Sequence, residues 1–96
     1  MFVLITYDVN TETAAGRKRL RQVARQCQNY GQRVQNSVFE CVIDGARLSV
    51  LQARLAGVID PSVDSLRYYL LGDNWRQRVQ HVGAKPGIDI EGTLVA

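Results

Sequence analysis

Histidine, cysteine, lysine and proline are scarce in this 96-residue chain: one His, two Cys, two Lys and two Pro. The lone His81 reads as a packing or surface residue rather than a general base. No Ser-His-Asp set, no glycine-rich phosphate loop and no cysteine beside a candidate base is present, so any catalysis must rest on carboxylate and metal. Cys27 and Cys41 lie fourteen positions apart without a CxxC spacing, which excludes a structural zinc site within one chain. In a chain that reads as cytosolic, they are expected as two buried thiols rather than a disulfide. The opening Met1 to Asp8 has neither a basic region before its apolar run nor a small-residue cleavage site after it, and is expected to be neither signal peptide nor membrane span. One further absence carries the most information: no acidic residue falls between Glu12 and Glu40.

What is present is one domain's worth of chain, 46% hydrophobic and 22% charged, with a net charge of +3. Residues 2 to 8 are β-branched and aromatic and too few for a typical helix, so they read as a strand. Thr11 or Thr13 caps a helix running to about Tyr30 and ended by Gly31, with Leu20, Val23, Ala24, Cys27 and Tyr30 at helical spacing. Arg33–Ser37 and Val38–Ile43 read as short strands with a tight or bulged join near Asn36-Ser37. Asp44 caps a second helix with the stripe Leu48, Leu51, Leu55, Val58 and Ile59, stopped by Asp60-Pro61. Ser65–Leu71 is a further strand closed by the turn Gly72-Asp73-Asn74.

The order β-α-β-β-α-β is the split βαβ arrangement, so the fold class is α+β and ferredoxin-like. Residues 1–74 form the core, and 75–96 a tail of the same domain. Val79–Val82 and Ile88–Leu94 are candidate short strands around Gly83-Ala84-Lys85-Pro86-Gly87. Strand alternation leaves neither face of the sheet polar: Phe2 and Leu4 oppose Val3, Ile5 and Tyr7, while Val38 and Val42 oppose Phe39, Cys41 and Ile43. Leu66, Tyr68 and Leu70 likewise oppose Tyr69 and Leu71. With only two helices to cover such a sheet, a third layer is needed, and a second copy of the chain supplies it as a homodimer packed sheet to sheet, the tail adding a strand to the partner's sheet. The alternative is that the tail folds over its own open face.

Arginine makes up ten of the twelve basic residues, and six bases fall in the acid-free interval: Arg17, Lys18, Arg19, Arg21, Arg25 and Arg33. At about 100° per residue, Arg17, Lys18, Arg21 and Arg25 share one side of the first helix and the apolar stripe takes the other. A solvated helix face normally mixes signs and gains i,i+4 pairs; this one forgoes them, which points to phosphate-backbone contact. An RNA-recognition module on the same fold is disfavoured, because Val38-Phe39-Glu40-Cys41-Val42-Ile43 offers only Phe39 for stacking.

Asp8 is the candidate catalytic residue and metal ligand, ending the first strand near the basic helix, where Arg17 or Arg19 would hold a phosphate. Magnesium typically accepts one or two carboxylates, several waters and phosphate oxygens, so two Asp8 side chains related by a dimer axis would share one ion. The competing role for Asp8 is a turn or helix cap. Trp75, between a turn and Arg76 and Arg78, reads as an interface anchor, with Ile88, Ile90 and Leu94 as further partner contacts. Glu40 within an apolar strand is read as structural, with Arg33 or Arg67 as its partner.

The segments Val3-Leu4-Ile5-Thr6-Tyr7-Asp8-Val9, Arg17-Lys18-Arg19-Leu20-Arg21 and Tyr30-Gly31-Gln32-Arg33-Val34-Gln35-Asn36-Ser37-Val38-Phe39-Glu40-Cys41 closely resemble the CRISPR-associated protein two family. His81-Val82-Gly83-Ala84-Lys85-Pro86 with Ile88-Asp89 is similar to its branch found with type I-C systems. The resemblance implies a ferredoxin-like homodimer in spacer acquisition, sitting between CRISPR integrase dimers and holding duplex DNA. It also implies phosphodiesterase activity dependent on Mg²⁺, with Mn²⁺ as a substitute, on single-stranded RNA or double-stranded DNA. Metal binding falls on Asp8, phosphate positioning on Arg17, Arg19 and Arg33, and a supporting role on Tyr7, Ser37 and Phe39. Two readings stand: a metal-dependent endonuclease, and a non-catalytic adaptor. No membrane partner is expected, and the location is expected to be cytoplasmic.

Overall fold

The computed structural model describes residues 1–83. Its elements are β1 (Phe2–Asp8), α1 (Ala14–Gln28), β2 (Gly31–Gln35), β3 (Val38–Val42), α2 (Gly45–Val58) and β4 (Ser65–Gly72), followed by a 3₁₀ turn at Trp75–Gln77. The strands form one antiparallel sheet in the order β2-β3-β1-β4, the ferredoxin-like arrangement that the element order predicts. Both helices pack on one face of it. Val3, Ile5, Tyr7, Phe39 and Cys41 point into that layer and meet Val23 and Cys27 of α1 and Leu48, Leu51 and Leu55 of α2 in the main core.

Local chemistry accounts for the helix starts. The Thr13 side chain accepts from the Gly16 amide at 3.0 Å, and Asp44 accepts from the Arg47 amide at 2.8 Å, each satisfying an amide that the first turn leaves without a partner. A Cβ at Gly16 would collide with the Asn10 carbonyl, so α1 can begin this close to the β1–α1 loop only with glycine there. Helix α1 ends earlier than the apolar spacing suggests, at Gln28, and Gly31 does not terminate it. Gly31 opens β2 instead, where the backbone of Glu40 and the sulfur of Cys41 leave no room for a Cβ. Strand β2 therefore lies two residues upstream of the expected Arg33–Ser37, with a register shift between Arg33 and Gln35 and the turn at Asn36-Ser37. The expected strand at Val79–Val82 does not form: the Val79 amide donates to the Trp75 carbonyl at 3.1 Å, extending the preceding turn. The candidate strand Ile88–Leu94 lies outside the described residues.

A single buried carboxylate links three segments. Asp64 Oδ1 accepts from the Asn10 amide at 2.9 Å, Oδ2 accepts from Arg19 Nε at 2.8 Å, and Oδ2 also accepts from the Asp60 amide at 2.9 Å. Arg19 Nη2 reaches Oδ1 at 3.4 Å, completing a forked contact. The β1–α1 loop, helix α1 and the approach to β4 are thereby joined at one point.

The other sheet face is graded. At the start of β1 it is apolar: Phe2 is buried outside the main core and packs on Trp75 with ring centroids 4.6 Å apart. Toward the end of β1 it turns polar, with Thr6 opposite Arg67 and Asp8 opposite Ser65. Tyr69 (42% exposed) on this face of the edge strand β4, and Leu70 (57%) on its opposite face, are left open to solvent in the single chain.

Two outcomes test this architecture. The Arg19 guanidinium, followed by the backbone amides of Asp60 and Asn10, holds the Asp64 carboxyl below the usual carboxylate range against the opposing effect of burial. A depressed native pKa contributes stability that is present above the unfolded value of about 3.9 and is lost as pH falls through the native value. Asp64→Asn should lower the melting temperature at pH 7 by roughly 10 °C or more, and should remove part of the acid sensitivity below about pH 4. Thermal scans at pH 7 and along the acid limb check both. Burial pushes the thiols of Cys27 and Cys41 up to about 12 and about 11, so neither should react with a water-soluble thiol reagent at pH 8 until the protein is denatured; rapid labelling of the native protein would contradict the packing of α1 on β3.

Candidate phosphodiester site and basic surfaces

Asp8 is the last residue of β1, and alternation along the strand places it with Leu4 and Thr6 on the face away from the helices. Its exposed carboxylate borders a shallow depression of about 300 Å³ lined by Thr6, Tyr7, Asp8, Ser65, Leu66, Arg67 and Tyr69. No hydrogen bond or ion pair among the described residues occupies the Asp8 carboxylate. Asp8 is thus not the turn-forming or capping residue that was its competing role: Thr13 caps α1, and Asn10 Oδ1 accepts from the Glu12 amide at 2.9 Å in the loop.

The donor chemistry around Asp8 fits a hard cation held mainly by water and substrate. One open carboxylate stands beside the hydroxyl-bearing Thr6 and Ser65, and no group of three His, Cys, Asp or Glu converges among the described residues. A magnesium ion accepts such a sparse protein set when phosphate oxygens complete the shell, and a second Asp8 from a twofold mate would strengthen it.

Tyr7, Ser37, Phe39 and Arg33 come together at the opposite, helix-covered side of the strand end. The Tyr7 amide donates to the Ser37 carbonyl at 3.1 Å, and the Tyr7 hydroxyl donates to the Asn36 carbonyl at 3.2 Å. Burial raises the Tyr7 pKa, with Arg33 opposing, so the phenol remains a donor at neutral pH. The Arg33 guanidinium lies 5.3 Å from the Phe39 ring centroid, and Phe39 stacks near Tyr7 at 6.2 Å. This cluster pins the β2–β3 turn to the end of β1 and leaves Arg33 exposed at its rim.

The basic residues of α1 divide by face. Arg17, Lys18, Arg21 and Arg25 are exposed, and none of them lines the Asp8 depression. Arg17 Nη1 donates to the Thr11 carbonyl at 3.0 Å, which holds it near the helix start. Arg19 is placed elsewhere: its guanidinium is committed to Asp64, and its side chain is 19% exposed. It precedes Val23 and Cys27 by four and eight positions, so it shares their buried stripe. Asp64 itself was not singled out in the sequence; that spacing, which gives an arginine on an apolar stripe a need for an acid, was the available signal.

Trp75 packs on Phe2 at the far, apolar end of the open face, with Arg76 and Arg78 exposed beside it. Arg67 does not serve as an acid's partner in an ion pair among the described residues; its Nη1 donates to the Tyr69 hydroxyl at 3.3 Å. Ile88, Ile90 and Leu94 lie outside the described residues. No helix among the described residues is long and apolar enough to cross a membrane.

Comparison with known proteins matches this arrangement to one family. A CRISPR-associated endoribonuclease Cas2 of Rhodospirillum rubrum is 63% identical over 93 residues, spanning 97% of this chain and 98% of its own. A CRISPR-associated endonuclease Cas2 of Halalkalibacterium halodurans is 58% identical over 95 residues, spanning 99% of both chains. The crystal structure of Streptococcus pyogenes Cas2 at pH 6.5 superposes with a TM-score of 0.76 and 60% identity, covering 86% of this chain and 100% of that one. A hypothetical protein from Thermus thermophilus superposes with a TM-score of 0.72 at 30% identity, covering 88% of this chain and 93% of that one. The model of the family described as CRISPR associated protein Cas2 matches residues 1–79, and the chain belongs to that family.

Proposed function

We propose that the protein is a metal-dependent endonuclease of the CRISPR adaptation machinery that hydrolyses phosphodiester bonds of DNA or RNA as a homodimer. The observation that carries this reading is the open Asp8 carboxylate on the lip of a depression whose described lining includes the hydroxyl-bearing Thr6, Ser65 and Tyr69 and the guanidinium of Arg67. The nuclease names of its relatives in Rhodospirillum rubrum and Halalkalibacterium halodurans support it. Two chains joined through their open sheet faces would cover the apolar end around Phe2, Leu4 and Val42 and bring two Asp8 carboxylates toward one axis. Those carboxylates would hold magnesium, or manganese in its place, and the ion would polarise the phosphoryl group and lower the pKa of an attacking water. Arg33, exposed on the helix-covered side of the strand end and outside the Asp8 depression, would hold the nucleic acid beyond the cleavage point.

A second reading rests on a separate observation. The acid-free face of Arg17, Lys18, Arg21 and Arg25 belongs to the helix layer, apart from the Asp8 depression, so it can hold duplex DNA without presenting it for cleavage. In this adaptor role the dimer bridges integrase subunits, with Trp75, Arg76, Arg78 and the residues beyond them as the partner contact.

A cleavage panel of duplex DNA, single-stranded DNA and single-stranded RNA, with and without magnesium, tests the first reading. Asp8→Ala should abolish cleavage while leaving duplex affinity within about twofold, and unchanged cleavage would rule out the nuclease. Arg17→Ala combined with Arg21→Ala should weaken duplex binding and reduce the slope of log affinity against log salt by about two; unaltered affinity would remove the basic helix face from the DNA-binding surface.

A further inference from the structure

Strand β4 carries an arginine that none of the assigned roles uses. Arg67 stands directly opposite Thr6 in the β1–β4 ladder, and Ser65 stands opposite Asp8. Arg67 is therefore the diagonal neighbour of Asp8 on the same open face, at the separation of about 7–8 Å typical of such pairs and within reach of a long side chain. Both residues border the same depression of about 300 Å³, yet they do not form an ion pair with each other among the described residues. The Arg67 guanidinium is turned along its own strand to the Tyr69 hydroxyl, which accepts from Nη1 at 3.3 Å. Arg19 is taken by Asp64, and Arg17, Lys18, Arg21 and Arg25 do not line the depression. Among the described residues that line the depression, Arg67 is the only basic one.

We propose that Arg67 is the phosphate-binding residue of the Asp8 site, with the Tyr69 hydroxyl as its positioning contact. The proposal rests on the nuclease reading for what happens to the bound phosphodiester, but the binding itself stands on the geometry alone. A carboxylate-held cation on one side and a guanidinium on the other would grip the anionic oxygens of one phosphate from two directions. The planar fork of arginine suits this contact, and a hydrogen bond to Tyr69 keeps the fork from swinging into solvent.

The experiment uses the full-length protein and a fluorescein-labelled 12-nucleotide single strand. Affinity is read by anisotropy in EDTA across a salt series, and cleavage is read separately with magnesium. Arg67→Ala should weaken binding roughly tenfold at low salt and reduce the salt slope by about 0.7, the value for one phosphate contact on a single strand. Arg67→Lys should restore the slope but only part of the affinity, because the ammonium keeps the charge and loses the fork. Tyr69→Phe should raise KM a few-fold with little change in kcat. Arg54→Ala, which removes the same charge from the exposed side of α2, should leave affinity and slope unchanged. Wild-type affinity and slope for Arg67→Ala would overturn the proposal, and so would an equal loss for Arg54→Ala, since that would make the effect one of net charge. The nuclease reading fails separately: full cleavage by Asp8→Ala would end it, while the binding comparison would still decide Arg67.

Discussion

The contact on which the rest of this small fold depends is the buried carboxylate of Asp64. It gathers the Asn10 amide, the Asp60 amide and the Arg19 guanidinium, which belong to the loop after β1, the segment before β4 and the middle of α1. Burying a charge is costly unless it is paired and hydrogen-bonded, and here every approach to the carboxylate is met by a donor. The consequence reaches the candidate site from both sides. Asp8 lies two residues before Asn10, and Ser65 follows Asp64, so the rung of the ladder that pairs Asp8 with Ser65 is anchored at both exits.

The same contact separates two kinds of basic residue. By holding Arg19 against the sheet, Asp64 sets the rotation of α1 and thereby turns Arg17, Lys18, Arg21 and Arg25 outward. The basic face of α1 and the Asp8 carboxylate are thus kept in different layers: α1 shows an acid-free surface, and the open sheet face shows Asp8 with Arg67 beside it. If the outward bases collapsed onto acids of their own chain, neither surface would remain available to phosphate. The gradient along the open face adds a second separation, since its apolar end is partly closed by Trp75 on Phe2 and its polar end stays open at Asp8.

Much of this was legible in the residues. The βαββαβ order, the Asp44 cap and the Asn36-Ser37 join rest on local chemistry, and the structure has each where its residues place it; of the two threonines offered as the cap of α1 it uses Thr13, and Gly72 ends β4 opposite Phe2 instead of opening the turn. Gly31 misleads because two causes call for glycine: a left-handed helix end, which periodicity suggests, and a close approach to another strand, which only packing reveals. Val79–Val82 misleads for a related reason, because apolar content there serves a turn rather than a ladder. Arg19 was expected to hold a phosphate, from its place near Asp8 and from the family resemblance, although its spacing to Val23 and Cys27 already placed it on the inward stripe.

The sequence by itself determined what is local or periodic: where β1, β3, β4 and both helices begin, which helix side is basic, and that Asp8 ends a strand. These follow from caps, turns and the 3.6 and 2.0 residue periods, which need no knowledge of distant segments. Only the tertiary structure decided the pairings. Asp64 meets Arg19 across 45 positions, and Asp8 and Arg67 share one face because β4 adds to the edge of β1 in one register. Such partnerships depend on how the sheet closes over its helices, and a one-residue slip of β4 against β1 would turn Arg67 away from the face that carries Asp8.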